Sequence, residues 1–123
     1  MSSAAAATPP DASFEVSVHG GWAVVTVEGE LDVYTAPRLE AYLAEALGLR
    51  TPPLVALEVS ALRFCDSAGL NAFLRGWKRA QALGGRLVLV GPTGRLTSLL
   101  RITGLDQNLD ILDEVPVDLS GER

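Results

Sequence analysis

The sequence predicts a single α/β domain, a mixed and mostly parallel sheet of four to five strands with helices packed on it. Three observations predict this. Apolar runs of strand length alternate with longer segments whose apolar residues recur every three to four positions, in the order β-β-α-β-α-β-α-(β). The chain has 123 residues, 48% of them hydrophobic, enough for one core without a disulfide or structural metal. Gly20-Gly21, Pro52-Pro53, Gly84-Gly85 and Gly104 punctuate these segments, with no internal repeat and no second domain.

Residues 1–13 are small and polar, with an alanine run and Pro9-Pro10, and cannot bury enough apolar area to offset their conformational entropy. They are expected to be a disordered tail. The domain proper is expected at 14–115, and residues 116–123 as a C-terminal tail with no assigned structure. Phe14, Val16 and Val18 alternate with Glu15, Ser17 and His19, the period of a half-buried strand. Gly20-Gly21 then turns the chain into a second apolar run at 22–27, completing an antiparallel hairpin. After Gly29-Glu30-Leu31-Asp32 a helix begins, with Thr35 as N-cap and Pro37 in its first turn, carried by Leu39, Tyr42, Leu43, Ala46 and Leu47. Thr51-Pro52-Pro53 ends it.

Residues 54–59, interrupted only by Glu58, read as a central strand covered on both faces. A second helix starts near Ser67, with Leu70, Phe73, Leu74, Trp77 and Leu83 on one face and Gly84-Gly85 as its stop. Residues 86–90 form another buried strand. Pro92 and Thr93 open a short helix through Leu96, Leu99, Leu100 and Ile102, closed by Gly104, and residues 109–112 supply a last edge strand.

Composition excludes several functions. Net charge is −5, and the ten basic residues are scattered over several elements, so neither a phosphate backbone nor an anionic membrane finds a basic face. No apolar run approaches the roughly 20 residues that span a bilayer, and residues 1–13 lack the basic and apolar regions of a signal peptide. The single cysteine, Cys65, fits a reducing compartment, so the cytoplasm is expected. One cysteine and one histidine do not assemble a zinc site, Gly91-Pro92-Thr93-Gly94 lacks the spacing of a phosphate loop, and no cofactor fingerprint is present. Cys65-Asp66-Ser67-Ala68-Gly69 loosely resembles a nucleophile elbow. However, Cys65 stands where that strained turn requires glycine, and the only histidine, His19, sits beside a hairpin turn. A Ser67 hydrolase is therefore disfavoured, and no enzyme activity is expected.

Asp66-Ser67-Ala68-Gly69-Leu70 remains the most unusual feature. In one reading Asp66 or Ser67 caps the following helix and Gly69 lets its first turn pack closely. In the other, Ser67 is also a phosphoacceptor, gaining roughly −1.5 to −2 charge at a helix N-terminus suited to hold it.

The segment Leu57-Glu58-Val59-Ser60-Ala61-Leu62-Arg63-Phe64-Cys65-Asp66-Ser67-Ala68-Gly69-Leu70 resembles the signature of STAS domains, specifically bacterial anti-sigma factor antagonists. Its form there is an apolar strand, Asp-Leu-Ser, a few residues, Phe, and Asp-Ser-Ser/Ala-Gly-Leu. Gly29-Glu30-Leu31-Asp32 resembles a second motif of that family. Leu83-Gly84-Gly85-Arg86-Leu87-Val88-Leu89-Val90 resembles a third, and residues 99–105, ending Thr103-Gly104-Leu105, a fourth. The likeness spans about residues 14–112. Glu58 stands for the family's usual Asp at the strand end, and Ala68 leaves Ser67 the one hydroxyl of the motif. The resemblance implies an antagonist that, unphosphorylated, binds an anti-sigma factor that is also a serine kinase and so releases the sigma factor. Phosphorylation of Ser67 by that kinase then switches binding off, and a separate phosphatase restores it. By position it implies partner contacts at Asp32, Tyr34, Phe64, Cys65, Asp66, Ala68 and Gly69. The alternative is a non-switching STAS scaffold subunit of a signalling or lipid-transport assembly.

Overall fold

The computed structural model describes residues 11–117. Apolar alternation draws the chain into β1 (Ala12–His19), and the turn at Gly20, whose φ of 57° suits glycine, returns it as β2 (Trp22–Leu31). Then follow α1 (Ala36–Leu47), β3 (Leu54–Cys65), α2 (Ser67–Ala82), β4 (Arg86–Val90), α3 (Gly94–Thr103), a single turn of 3-10 helix (Leu105–Gln107) and β5 (Asp110–Leu112). The five strands lie in the order β1-β2-β3-β4-β5; β1 pairs antiparallel with β2 and all other pairs are parallel. This is the mixed, mostly parallel sheet that the sequence predicts. Among the described residues no helix is long and apolar enough to cross a membrane.

Strand alternation divides the core in two. Val25, Val27, Val55, Leu57, Leu87 and Leu89 face the helices, where Leu39 and Leu43 of α1, Phe73 of α2 and Leu96 and Leu100 of α3 cover them. Trp22, Val24, Ala56, Val88 and Val90 face the other way. Leu54 and Leu112 lie on that same face, and among the described residues Val115, after β5, packs on the cluster from outside the sheet. Val117 approaches the hairpin, 3.6 Å from where a Cβ on Gly20 would stand. The stretch after β5, unassigned from sequence, thus crosses the back of the sheet.

The structure corrects several element limits. β1 begins at Ala12, two residues ahead of Phe14, because Ala12 is buried and its carbonyl accepts a hydrogen bond from Arg38 at 3.2 Å. The rest of the expected N-terminal tail, residues 1–10, and residues 118–123 lie outside the described residues. β2 runs four residues past the expected end and β3 six, since the two pair in parallel as far as Leu31 and Cys65. Six residues of β2, from Thr26 to Leu31, face eight of β3, from Glu58 to Cys65, so β3 carries two bulges. Glu58 therefore lies mid-strand, where its carboxylate accepts from the Ser60 backbone N–H at 3.2 Å and from its hydroxyl at 2.9 Å.

Three apolar residues expected inside are outside. Val18 sits at the hairpin end of an edge strand. Leu83 follows the last residue of α2. Ile102 lies two positions beyond buried Leu100, about 200° round the helix at 3.6 residues per turn.

Candidate functional site

The C-terminal ends of β2 and β3 lie side by side and define the site. Leu31 pairs with Cys65, and the Asp66 N–H donates to the Leu31 carbonyl at 3.1 Å. From these adjacent ends one chain segment enters the loop 32–35 and the other enters α2. The carboxyl ends of parallel strands are where an open α/β sheet leaves room for a binding surface.

The loop is organised by Asp32 and Thr35. The Asp32 carboxylate accepts the backbone N–H groups of Tyr34 at 2.9 Å and Thr35 at 3.0 Å. These bonds, Thr35's first, hold its carboxyl below the ordinary carboxylate range. The Thr35 hydroxyl donates to the Glu30 carbonyl at 2.8 Å and accepts the Asp32 N–H at 2.9 Å. Thr35 is the buried polar side chain among the described residues; it stands at the N-cap of α1 as the sequence predicts, but its hydroxyl makes no capping bond to the helix. With the hydroxyl engaged by β2, the loop turns Val33 and Tyr34 outward, 63% and 79% exposed.

At the other strand end, Asp66 has extended backbone (φ −105°, ψ −167°) and its carboxylate accepts the Ala68 N–H at 2.8 Å. Of the two possible caps, Asp66 is the one used. Ser67 is the first residue of α2 and stays exposed. Gly69 is buried: a Cβ there would stand 2.6 Å from the Cys65 sulfur and 2.8 Å from the Leu31 Cβ. Its lack of a side chain lets the first turn of α2 rest on the ends of both strands. Cys65 is partly buried, with its sulfur 3.5 Å from the Asp66 carbonyl oxygen. Burial, and secondly the Asp66 charge, push its thiol up to about 12.

The bulge at Arg63 decides where Phe64 goes. Leu62 and Phe64 would share a face in a regular strand; with Arg63 left unpaired against β2, Leu62 is buried and Phe64 is 45% exposed. Thus Ser67, Tyr34 and Phe64 are exposed, Asp32, Cys65, Asp66 and Ala68 are intermediate, and Gly69 is inside, where it shapes the surface without presenting one. Two contributors escape the sequence reading. Val33 gives no signal beyond being an apolar residue after a turn-forming Asp, and Thr35 reads from the sequence as a helix cap alone, with no sign that its hydroxyl ties the loop to β2. His19 stands at the opposite end of β2 from this site, roughly 30 Å away at 3.3 Å per residue, so it forms no pair with Ser67.

A family model described as STAS domain matches residues 13–117. Over 87 residues the chain is 32% identical to the anti-sigma-B factor antagonist of Listeria monocytogenes, an alignment covering 71% of this chain and 75% of that protein. It is 34% identical over 87 residues to the protein of the same name from Bacillus subtilis, covering 71% and 78% respectively. The crystal structure of an anti-sigma factor antagonist from Mycobacterium paratuberculosis superposes with a TM-score of 0.76 at 27% identity, covering 88% of this chain and 92% of that one.

Proposed function

The chain belongs to the STAS domain family, and on that premise we propose that it acts as an anti-sigma factor antagonist, switched by phosphate on Ser67. The partner is an anti-sigma factor with serine kinase activity; a phosphatase reverses the modification. The observation that carries this reading is the exposed Ser67 side chain at the first position of α2, freed because Asp66 takes the cap. Exposed Val33, Tyr34 and Phe64 belong to the two strand-end segments that meet there, and they offer the apolar contact area a protein partner needs. Asp32 and Asp66 fix the local backbone, so the partner meets a preformed surface.

The switch follows from charge. Asp66 already places one negative charge beside Ser67, and a phosphate raises the local total to about three. Burying that patch against a partner costs on the order of 3 kcal/mol in desolvation and repulsion, about a 100-fold loss of affinity. Ser67 needs no activated hydroxyl of its own, since base and ATP come from the kinase.

The test is incubation with the partner captured from the source organism, with and without ATP, followed by mass spectrometry. One phosphate is expected on Ser67, with about 100-fold weaker binding of the phosphorylated form, and none on Ser67→Ala. Ser67→Asp, which adds one charge where phosphate adds about two, is expected to bind roughly tenfold more weakly. A Ser67→Asp variant that holds the partner as tightly as the parent overturns the switch.

A further inference from the structure

Between the C-terminal half of β3 and α3 the surface opens into a pocket of about 280 Å³. Leu62, Phe64, Leu96, Leu99 and Ile102 give it apolar walls, and Ile102 is 80% exposed, the most exposed large apolar residue among those described. Arg63 and Arg95 line the same pocket. Among the described residues neither arginine is in an ion pair, whereas Arg75 pairs with Glu40 and Arg86 with Asp110. In a chain of net charge −5, two guanidinium groups without acidic partners at the rim of an apolar cavity form a local positive site.

We propose that this pocket binds a free medium-chain fatty acid, its acyl chain against the leucines, Phe64 and Ile102 and its carboxylate between Arg63 and Arg95. Charge complementarity selects this occupant. A cationic amphiphile meets two like charges, and a neutral one leaves both guanidinium groups unused. The planar guanidinium fork, by contrast, matches a carboxylate with paired hydrogen bonds. The volume lies near the lower end for ligand cavities, which suits a single short acyl chain. Because the arginines are exposed and the ligand is small, the dissociation constant is expected to be on the order of 100 µM. This site goes beyond the Ser67 switch and does not depend on it, although Phe64 and Cys65 belong to both.

The test is an NMR titration of the isotope-labelled full chain with sodium decanoate below its micellar concentration, with decyltrimethylammonium and decanol in parallel. Decanoate is expected to give saturable shifts confined to residues 62–65 and 93–102. The double variant Arg63→Gln/Arg95→Gln is expected to bind about tenfold more weakly with an unchanged melting temperature. Leu99→Trp, which fills the cavity, is expected to abolish binding; the arginine variant decides the matter if Leu99→Trp does not fold. Shifts spread equally over other apolar exposures such as Leu49 and Leu83, equal binding of the cationic amphiphile, or no effect of removing both arginines overturns the proposal. Decanol binding as tightly as decanoate overturns it too, because the two guanidinium groups then contribute nothing.

Discussion

Asp66 and Gly69 do opposite things to the same helix turn. Asp66 contributes a carboxylate that satisfies the Ala68 N–H, while Gly69 contributes the absence of a side chain that lets Leu31 and Cys65 come close. Gly69→Ala gains about 1 kcal/mol in helix propensity but sets a methyl group against the Leu31 Cβ, which no rotamer change moves. The clash wins: a net loss of about 1–2 kcal/mol is expected, read as a melting-temperature drop of roughly 5–10 °C. An unchanged melting point would show that the two strand ends move apart freely. Cys65 makes a second prediction at this scale. Its thiol lies near 12 when folded against an ordinary 9.0, so at pH 8 the thiolate fraction falls about a thousandfold on folding. The greater nucleophilicity of a more basic thiolate returns only part of that. Labelling by a thiol reagent at pH 8 is expected to be more than tenfold slower in the native protein than in urea; equal rates refute the shift.

The elements show where sequence patterns run out. α1, α2, β4 and α3 were legible because their apolar spacing is regular and glycine or proline bounds them. The far half of β3 is not, because two bulges place neighbouring exposed residues such as Ser60 and Ala61 in one strand, and strict alternation cannot be read through them. The far half of β2 alternates in burial, but its inward position at Gly29 carries no apolar side chain to signal it. The turn from α2 into β4 carries its own prediction. A Cβ on Gly85 would stand 2.0 Å from the Pro53 carbonyl oxygen, the acceptor of the Arg86 N–H at 2.9 Å. The neighbouring Gly84 has open space around it and only a positive φ of 75°. Gly84→Ala is expected to cost about 1 kcal/mol in backbone strain, and Gly85→Ala about 2–4 kcal/mol because it must displace backbone where β4 joins β3. Chemical denaturation of both variants checks the order; equal costs contradict it.

At the scale of the molecule, the sheet is covered unequally: three helices pack on one side, while on the other, among the described residues, Val115 of the segment after β5 packs on the cluster. Val115→Asp puts a carboxylate against the cluster of Trp22, Val24, Ala56, Val88 and Val90. A loss of about 1–3 kcal/mol is expected, with a red shift of Trp22 emission in a Trp77→Phe background; unchanged stability and emission would mean that this segment does not seal the sheet. The acidic balance, the strand–helix alternation, the hydroxyl at the β3–α2 junction and the family likeness all stood in the sequence alone, because each is a property of residues near one another along the chain. The tertiary structure decided what depends on distant residues meeting. Pairing of β2 with β3 brings the Asp32 loop beside Ser67, the Arg63 bulge turns Phe64 outward, and the packing of α3 along β3 opens the cavity with its two arginines. Register and bulges are set by contacts between strands far apart in sequence, which local periodicity does not encode.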